Sequence, residues 1–235
     1  MMWLWLIFFS TSTLFPATVS GHVELRDSHD PAVRKRLDYS GVVVSLKPVP
    51  EVTEMRLQNA RATMLQKNKT FSPHILPVVV GTTVDFPNAD PIFHSAFSSY
   101  NGQIFDVGLY PPGSSKSVRF TREGIVRVFC NIHSSMSAVI VVLGTPYFAV
   151  TKRDGSFEIA DVPTGEYEME VFHERATEAT LRSLRRRVTV GRDGLILPPL
   201  SISEAGFLPM PHTNKYGRNY PAQSDDHSIY PAARQ

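Results

Sequence analysis

Apolar residues in this chain come in short runs, roughly four to eight residues long, set between Gly, Pro, Asn and Asp, and such a pattern builds strands joined by turns. Clear cases are Ser40-Gly-Val-Val-Val-Ser-Leu46, Leu76-Pro-Val-Val-Val80, Val84-Asp-Phe86, Ile125 to Phe129, Ala138 to Leu143 and Tyr167-Glu-Met-Glu-Val171. With 18 Pro and 14 Gly among them, these runs predict an all-β protein. About eight such strands fall between residues 62 and 143, a natural size for a Greek-key sandwich. The segment 51–61, Glu-Val-Thr-Glu-Met-Arg-Leu-Gln-Asn-Ala-Arg, holds good helix formers without a breaker and reads as a short helix or linker.

The chemistry concentrates in Cys130-Asn-Ile-His133-Ser-Ser-Met136, directly after the run Ile125 to Phe129. A thiol, an imidazole and a thioether so close together are soft ligands. Two His and one Cys in a plane with a weak axial Met is the blue-copper arrangement, so the motif calls for a second His from another strand end. His94, in Phe86-Pro-Asn88-Ala-Asp-Pro-Ile-Phe-His94, is the candidate. Taken singly, a buried Cys, a stray His or a core Met is ordinary; together they predict one copper ion on His94, Cys130, His133 and Met136. His74 lies in a Pro-flanked extended segment and reads as a surface or structural residue. His173 reads as structural, and His22 as part of the strand Gly21-His-Val-Glu-Leu25.

The lone cysteine bears on the compartment. Trp3 to Phe15 is largely apolar and is followed by Pro16-Ala-Thr-Val-Ser-Gly21, which reads as a signal peptide over residues 1–21, cleaved after Ser20 or Gly21. In an oxidising compartment one thiol without a partner cysteine binds metal, stays free or pairs between molecules, and its neighbours here favour metal. Export, with the bacterial periplasm as destination and no membrane span after cleavage, is the expectation. A formal net charge of +2 gives no reason to expect a nucleic-acid partner. The Arg-rich stretch 182–192 reads as a solvated sheet edge, and Ala205 to Gln235, without periodicity, as part of a disordered or surface-wrapping tail over 204–235.

On these residues the chain resembles the plastocyanin and azurin family of cupredoxins, and its Cys-x2-His-x2-Met loop is similar in spacing to that of amicyanin. The resemblance spans about residues 62 to 143 and includes Phe71-x-Pro73, Gly81-Thr-Thr-Val84-x-Phe86-x-Asn88 and the Glu123-Gly124 turn. It implies that Asn88 supports the site with an amide hydrogen bond to the thiolate. The family commonly has Asn after the first ligand, where this chain has Ser95, so the tether between the ligand loops is open. Ser134-Ser135 replace a Pro and an apolar residue, which implies a more polar rim around His133.

A second pattern, Thr151-x-x-Asp-Gly155-x-Phe-x-Ile-x-x-Val-Pro-x-Gly165-x-Tyr167, resembles carboxypeptidase regulatory-like and transthyretin-like (Ig-like) β-sandwiches. Its expected opening strands stand far upstream, within residues 21 to 46. The economical reading is a split sandwich, residues 22–50 plus 146–203, into which the cupredoxin is inserted, with Val42 to Leu46 pairing with Phe157 to Ile159 or Tyr167 to Val171. The combination is similar to exported cupredoxins labelled as methylamine utilisation proteins. It implies a one-electron carrier cycling Cu(I) and Cu(II) for a partner protein the sequence does not identify, and not an enzyme. The alternative is a copper storage or delivery protein without a rapid redox role.

Overall fold

The computed structural model describes residues 16–50, 60–99, 102–208 and 212–220. These divide into two compact units: residues 16–50 with 147–207, and residues 60–146 with 208 and 212–220. The architecture is all-β, with two short helices among the described residues. No described helix is long and apolar enough to cross a membrane. Most of the expected linker, residues 51–59, lies outside the described residues, as do 1–15 and 221–235.

The first unit begins with β1 (Pro16–Arg26), α1 (Pro31–Arg36) and β2 (Val43–Val49). The second runs through β3 (Arg61–Thr63), β4 (Leu65–Lys67), β5 (Thr70–Ser72), β6 (Ile75–Val79), β7 (Thr83–Pro87) and β8 (His94–Ser98). It continues with β9 (Phe105–Tyr110), β10 (Ser115–Arg119), β11 (Gly124–Phe129) and β12 (Ser137–Leu143). The chain then returns to the first unit with β13 (Phe148–Val150), β14 (Ser156–Pro163), β15 (Gly165–Phe172), α2 (Glu178–Leu184), β16 (Arg186–Val190), β17 (Leu195–Ile196) and β18 (Leu200–Ser203).

In the first unit β1 pairs antiparallel with β14 and parallel with β17 and β18, while β2 lies between β13 and β15, with β16 beyond. The register Val43↔Phe172 through Val49↔Glu166 places the upstream run in one sheet with Tyr167 to Val171. Alternate residues of both sheets meet in a single core: Val19, Val23 and Leu25 of β1, Val44 and Leu46 of β2, Phe157 and Ile159 of β14, Tyr167, Met169 and Val171 of β15. That is the geometry of a β-sandwich. Gly155 closes the Asp-Gly turn at φ 85°, and a side chain there would run into the Val23 carbonyl.

Two expectations meet a different structure here. Strand β1 begins at Pro16, with Ala17 and Val19 buried and Pro16 already paired with Pro163. A cut after Ser20 or Gly21 would therefore remove half of a core strand. The expected tail does not start at residue 204: Glu204 is buried, holding Ser28, His173 and Arg175 through its carboxylate. The Arg-rich stretch enters from the last turn of α2 and forms β16, the edge strand of its sheet. Asp30 caps α1 by accepting from the Ala32 N–H at 2.7 Å with Pro31 at the first position, and Thr177 caps α2 through the Thr180 N–H.

In the second unit a five-stranded sheet, β6-β12-β11-β8-β9, faces a three-stranded one, β10-β7-β3. Val84 and Phe86 of β7, Val126 and Val128 of β11, Ala138, Ile140 and Val142 of β12, and Phe120 fill the space between them. Cys130 and Met136 sit at one end of this core. The β4–β5 hairpin pins the loop before β8: Gln66 bridges Asn88, and its carbonyl accepts from the Ala89 N–H at 2.9 Å.

Candidate metal centre

Two strand ends and one loop make the site. His94 opens β8, Cys130 follows β11, and His133 and Met136 lie on the loop that turns back into β12. Phe129 pairs with Phe97 across β11 and β8, which brings the ends carrying Cys130 and His94 side by side. The loop closes on itself: the Met136 N–H donates to the His133 carbonyl at 3.1 Å, and the Cys130 N–H to the Met136 carbonyl at 3.2 Å. His94 and Met136 are completely buried, as is Cys130, and His133 is half-buried.

The ligand atoms converge. His94 Nδ1 and His133 Nδ1 are 3.1 Å apart, and Cys130 Sγ stands 3.8 Å from the first and 3.6 Å from the second. A first-row divalent ion takes bonds of about 2.0–2.1 Å to imidazole and about 2.3 Å to thiolate. At trigonal angles those lengths leave donor separations of about 3.6 Å between two nitrogens and about 3.8 Å between nitrogen and sulfur, and closing the N–metal–N angle to about 100° brings the nitrogens to about 3.1 Å, so the three atoms fit one ion. Among the described residues these three form the one grouping of His, Cys, Asp or Glu that could hold a metal ion. Met136 shares the core pocket with Cys130.

The electrostatics suit a thiolate ligand. Burial pushes the Cys130 thiol up, but hydrogen bonds from His133 and His94 and from the backbone N–H groups of Ile132 and Ser95 outweigh it and hold the thiol at about 5. His94 donates through Nε2 to Asp90 Oδ2 at 2.8 Å. With one proton held on Nε2 by Asp90, release of the Nδ1 proton that faces the thiolate would leave the Nδ1 lone pair for a metal, and such carboxylate partners fix both ring orientation and ligand basicity. Asp90 is in turn held by the Asn68 and Lys69 N–H groups at 2.6 and 2.8 Å. Both of those residues have positive φ, 55° and 54°, in the β4–β5 turn, which points successive N–H groups at one carboxylate.

Asn88 does not take the expected role. Its amide donates to the Ile92 carbonyl at 2.8 Å and its Oδ1 accepts from the Asp90 N–H at 3.0 Å, so it shapes the loop that delivers Asp90 instead of bonding the sulfur. The side chain that reaches the sulfur is Ser95, whose hydroxyl donates to Cys130 Sγ at 3.7 Å. The same oxygen accepts from the Asn131 N–H at 2.7 Å and ties β8 to the ligand loop. Sequence reasoning missed Asp90, although its place four residues before His94 was a usable signal. It also missed the C-terminal residues 212–220, which pack on the ligand loop.

The other histidines lie outside this cluster. His74 is exposed, with Nδ1 donating to the Ser137 carbonyl at 3.1 Å. His173 is buried against Glu204, and His22 Nε2 donates to the Asp154 carbonyl at 2.7 Å.

No family model and no curated protein matches the sequence. Among solved structures the chain is similar in part to a purple cupredoxin from Nitrosopumilus maritimus, with 24% identity and a TM-score of 0.32 over 35% of this chain and 99% of that one. A reduced amicyanin variant shows 20% identity and a TM-score of 0.34 over 45% of this chain and 100% of the other. A Cu-containing nitrite reductase (NirK) from Thermus scotoductus SA-01 shows 25% identity and a TM-score of 0.35 over 52% of this chain but 28% of its own. These likenesses are partial and shallow, so what the site can hold follows from its own donor set: His94, Cys130 and His133 are arranged for a single metal ion.

Proposed function

We propose that the second unit is a cupredoxin-like domain that holds one copper ion on His94, Cys130 and His133 with Met136 as a weak axial ligand, and that the protein is an exported one-electron carrier. The observation that carries this reading is the convergence of two imidazole Nδ1 atoms and one sulfur at 3.1–3.8 Å in a buried pocket at the end of a sandwich. Two imidazoles and one thiolate, with a weak axial thioether, are the donors of a blue-copper site, and Met136 is buried in the same core cluster as Cys130. Copper, when bound there, supplies the Cu(I)/Cu(II) couple.

The protein residues supply rigidity. Asp90 fixes the His94 ring, Ser95 ties the two ligand-bearing segments, and the closed backbone loop holds His133 and Met136 in register. Ligands that cannot rearrange keep one geometry for both oxidation states, which favours electron transfer over substrate chemistry. His133 is the one candidate ligand with solvent exposure, so its edge is where an electron enters or leaves. Enclosure of the other three offers no open position for a substrate, which supports a carrier more than an enzyme. The first unit, with its resemblance to carboxypeptidase regulatory-like sandwiches, is assigned an orienting or docking role, and the periplasm remains the proposed compartment.

Cyclic voltammetry of the copper-loaded protein tests the carrier role. A reversible one-electron wave is expected. No wave, together with ready loss of the copper to a chelator, would instead assign the protein to copper storage or delivery.

A further inference from the structure

Residues 212–220 form no strand or helix, yet they are not a loose tail. Asn214 Oδ1 accepts from the Tyr216 and Arg218 N–H groups at 3.0 Å each, the Asn214 N–H donates to the Arg218 carbonyl at 2.9 Å, and Gly217 closes the turn at φ 73°. This self-closed turn is anchored on β9 by Lys215 Nζ, 2.7 Å from Asp106 Oδ2. From that anchor the segment reaches the ligand loop at three points. Tyr220 donates its hydroxyl to the Cys130 carbonyl at 2.8 Å, the Lys215 N–H donates to Asn131 Oδ1 at 2.9 Å, and His212 Nε2 donates to the Ser134 carbonyl at 2.8 Å. His212 stacks on Phe129, the residue before Cys130, with ring centroids 4.1 Å apart, and the Tyr220 ring meets the His212 ring edge-on at 5.2 Å.

We infer that residues 212–220 are a strap that holds the Cys130–Met136 loop in its ligating conformation before any metal arrives, with Tyr220 and His212 as positioning residues. The inference rests on the assignment of that loop to a metal site. Two backbone hydrogen bonds between residues 130, 133 and 136 tie the ends of the loop, while its tip, at Ser134 and Ser135, is exposed, and it is there and at 130–131 that the strap adds support. Ordering each free residue costs backbone entropy. The strap fixes carbonyls or side chains at positions 130, 131 and 134 from one side, while Ser95 holds the Asn131 N–H from the other. A loop so held presents Cys130 and His133 without further ordering, and a bound ion leaves more slowly because the loop must detach from the strap before it opens.

The test uses the full-length chain carrying Tyr220→Phe and His212→Ala together, which removes two of the three strap donors. Hydrogen exchange of the Cys130, Asn131 and Met136 amides, measured on metal-free protein, should accelerate about tenfold or more, while amides in the middle of β11 and β12 keep their wild-type protection. Release of copper from the loaded variant to a chelator should rise by a similar factor. Tyr220→Phe alone, which keeps the ring stack, should produce part of the change. Wild-type exchange at the three loop amides would overturn the inference, and so would a uniform rise across the sheet, which marks general destabilisation. If the wild-type protein took up no copper, the proposed function would fail, yet the exchange measurement on metal-free protein would still decide the strap.

Discussion

At Ser95 a single hydroxyl accepts from the Asn131 N–H and faces the Cys130 sulfur, so one small side chain joins two segments and touches the candidate electron-transfer atom. Ser95→Ala should cost about 1–3 kcal/mol of stability in urea unfolding, because the Asn131 N–H loses its partner. In the copper-loaded protein it should also lower the potential, since a thiolate without that donor is richer in electrons and favours the oxidised ion. An unchanged unfolding midpoint and potential would show that the hydroxyl does neither. At this scale the convergence of His94, Cys130 and His133 was legible in the sequence: the spacing of Cys130 and His133 is local, and His94 was the strand-end histidine that could meet them. The supporting residues were not. Asn88 has a family-like position, but sequence cannot say where an amide points, and a turn with two positive-φ residues, Asn68 and Lys69, claims the carboxylate of Asp90 and with it the geometry of the whole loop.

Among the elements, β1 shows most plainly where reading from sequence stops. Pro16-Ala-Thr-Val-Ser-Gly21 has the small residues of a cleavage region, and the same letters alternate as a strand that buries Ala17 and Val19. Composition fits both readings; in the structure these residues pair with β14. A chain starting at Pro16 should therefore melt like a longer one, whereas a chain starting at His22 loses the buried Ala17 and Val19 side chains, worth about 3 kcal/mol, and should melt about 10 °C lower or fail to fold its first unit. Equal melting of the two would place Pro16 to Gly21 outside the core. The β2–β15 pairing was accessible from sequence because an apolar run covered on both faces needs neighbours. Segment 212–220 was not, because its order comes from contacts with a loop 78 to 90 residues earlier in the chain and leaves no periodic pattern.

For the molecule as a whole, two sandwiches share one chain, and each has its own polar keystone. In the first unit Glu204 gathers Ser28, just past β1, with His173 and Arg175, just past β15. Burial raises its carboxyl, but the hydrogen bonds from His173, Arg175 and Ser28 outweigh it and bring the group to about 2. A carboxylate held below its ordinary range stabilises the fold above that range and loses the contribution as it protonates. Stability of the first unit should thus fall as the pH drops from about 4.5 to about 2, by up to about 3 kcal/mol, and Glu204→Gln should flatten this dependence in acid melting curves. In the second unit the keystone is the sulfur of Cys130, on which both imidazoles, Ser95 and two backbone N–H groups converge. Titration of Cu(II) into the metal-free protein, followed by optical absorption, tests that convergence most directly. One equivalent should produce an intense visible thiolate-to-copper band that is absent in Cys130→Ser; a colourless wild-type complex, or an equally coloured Cys130→Ser protein, would contradict the copper site.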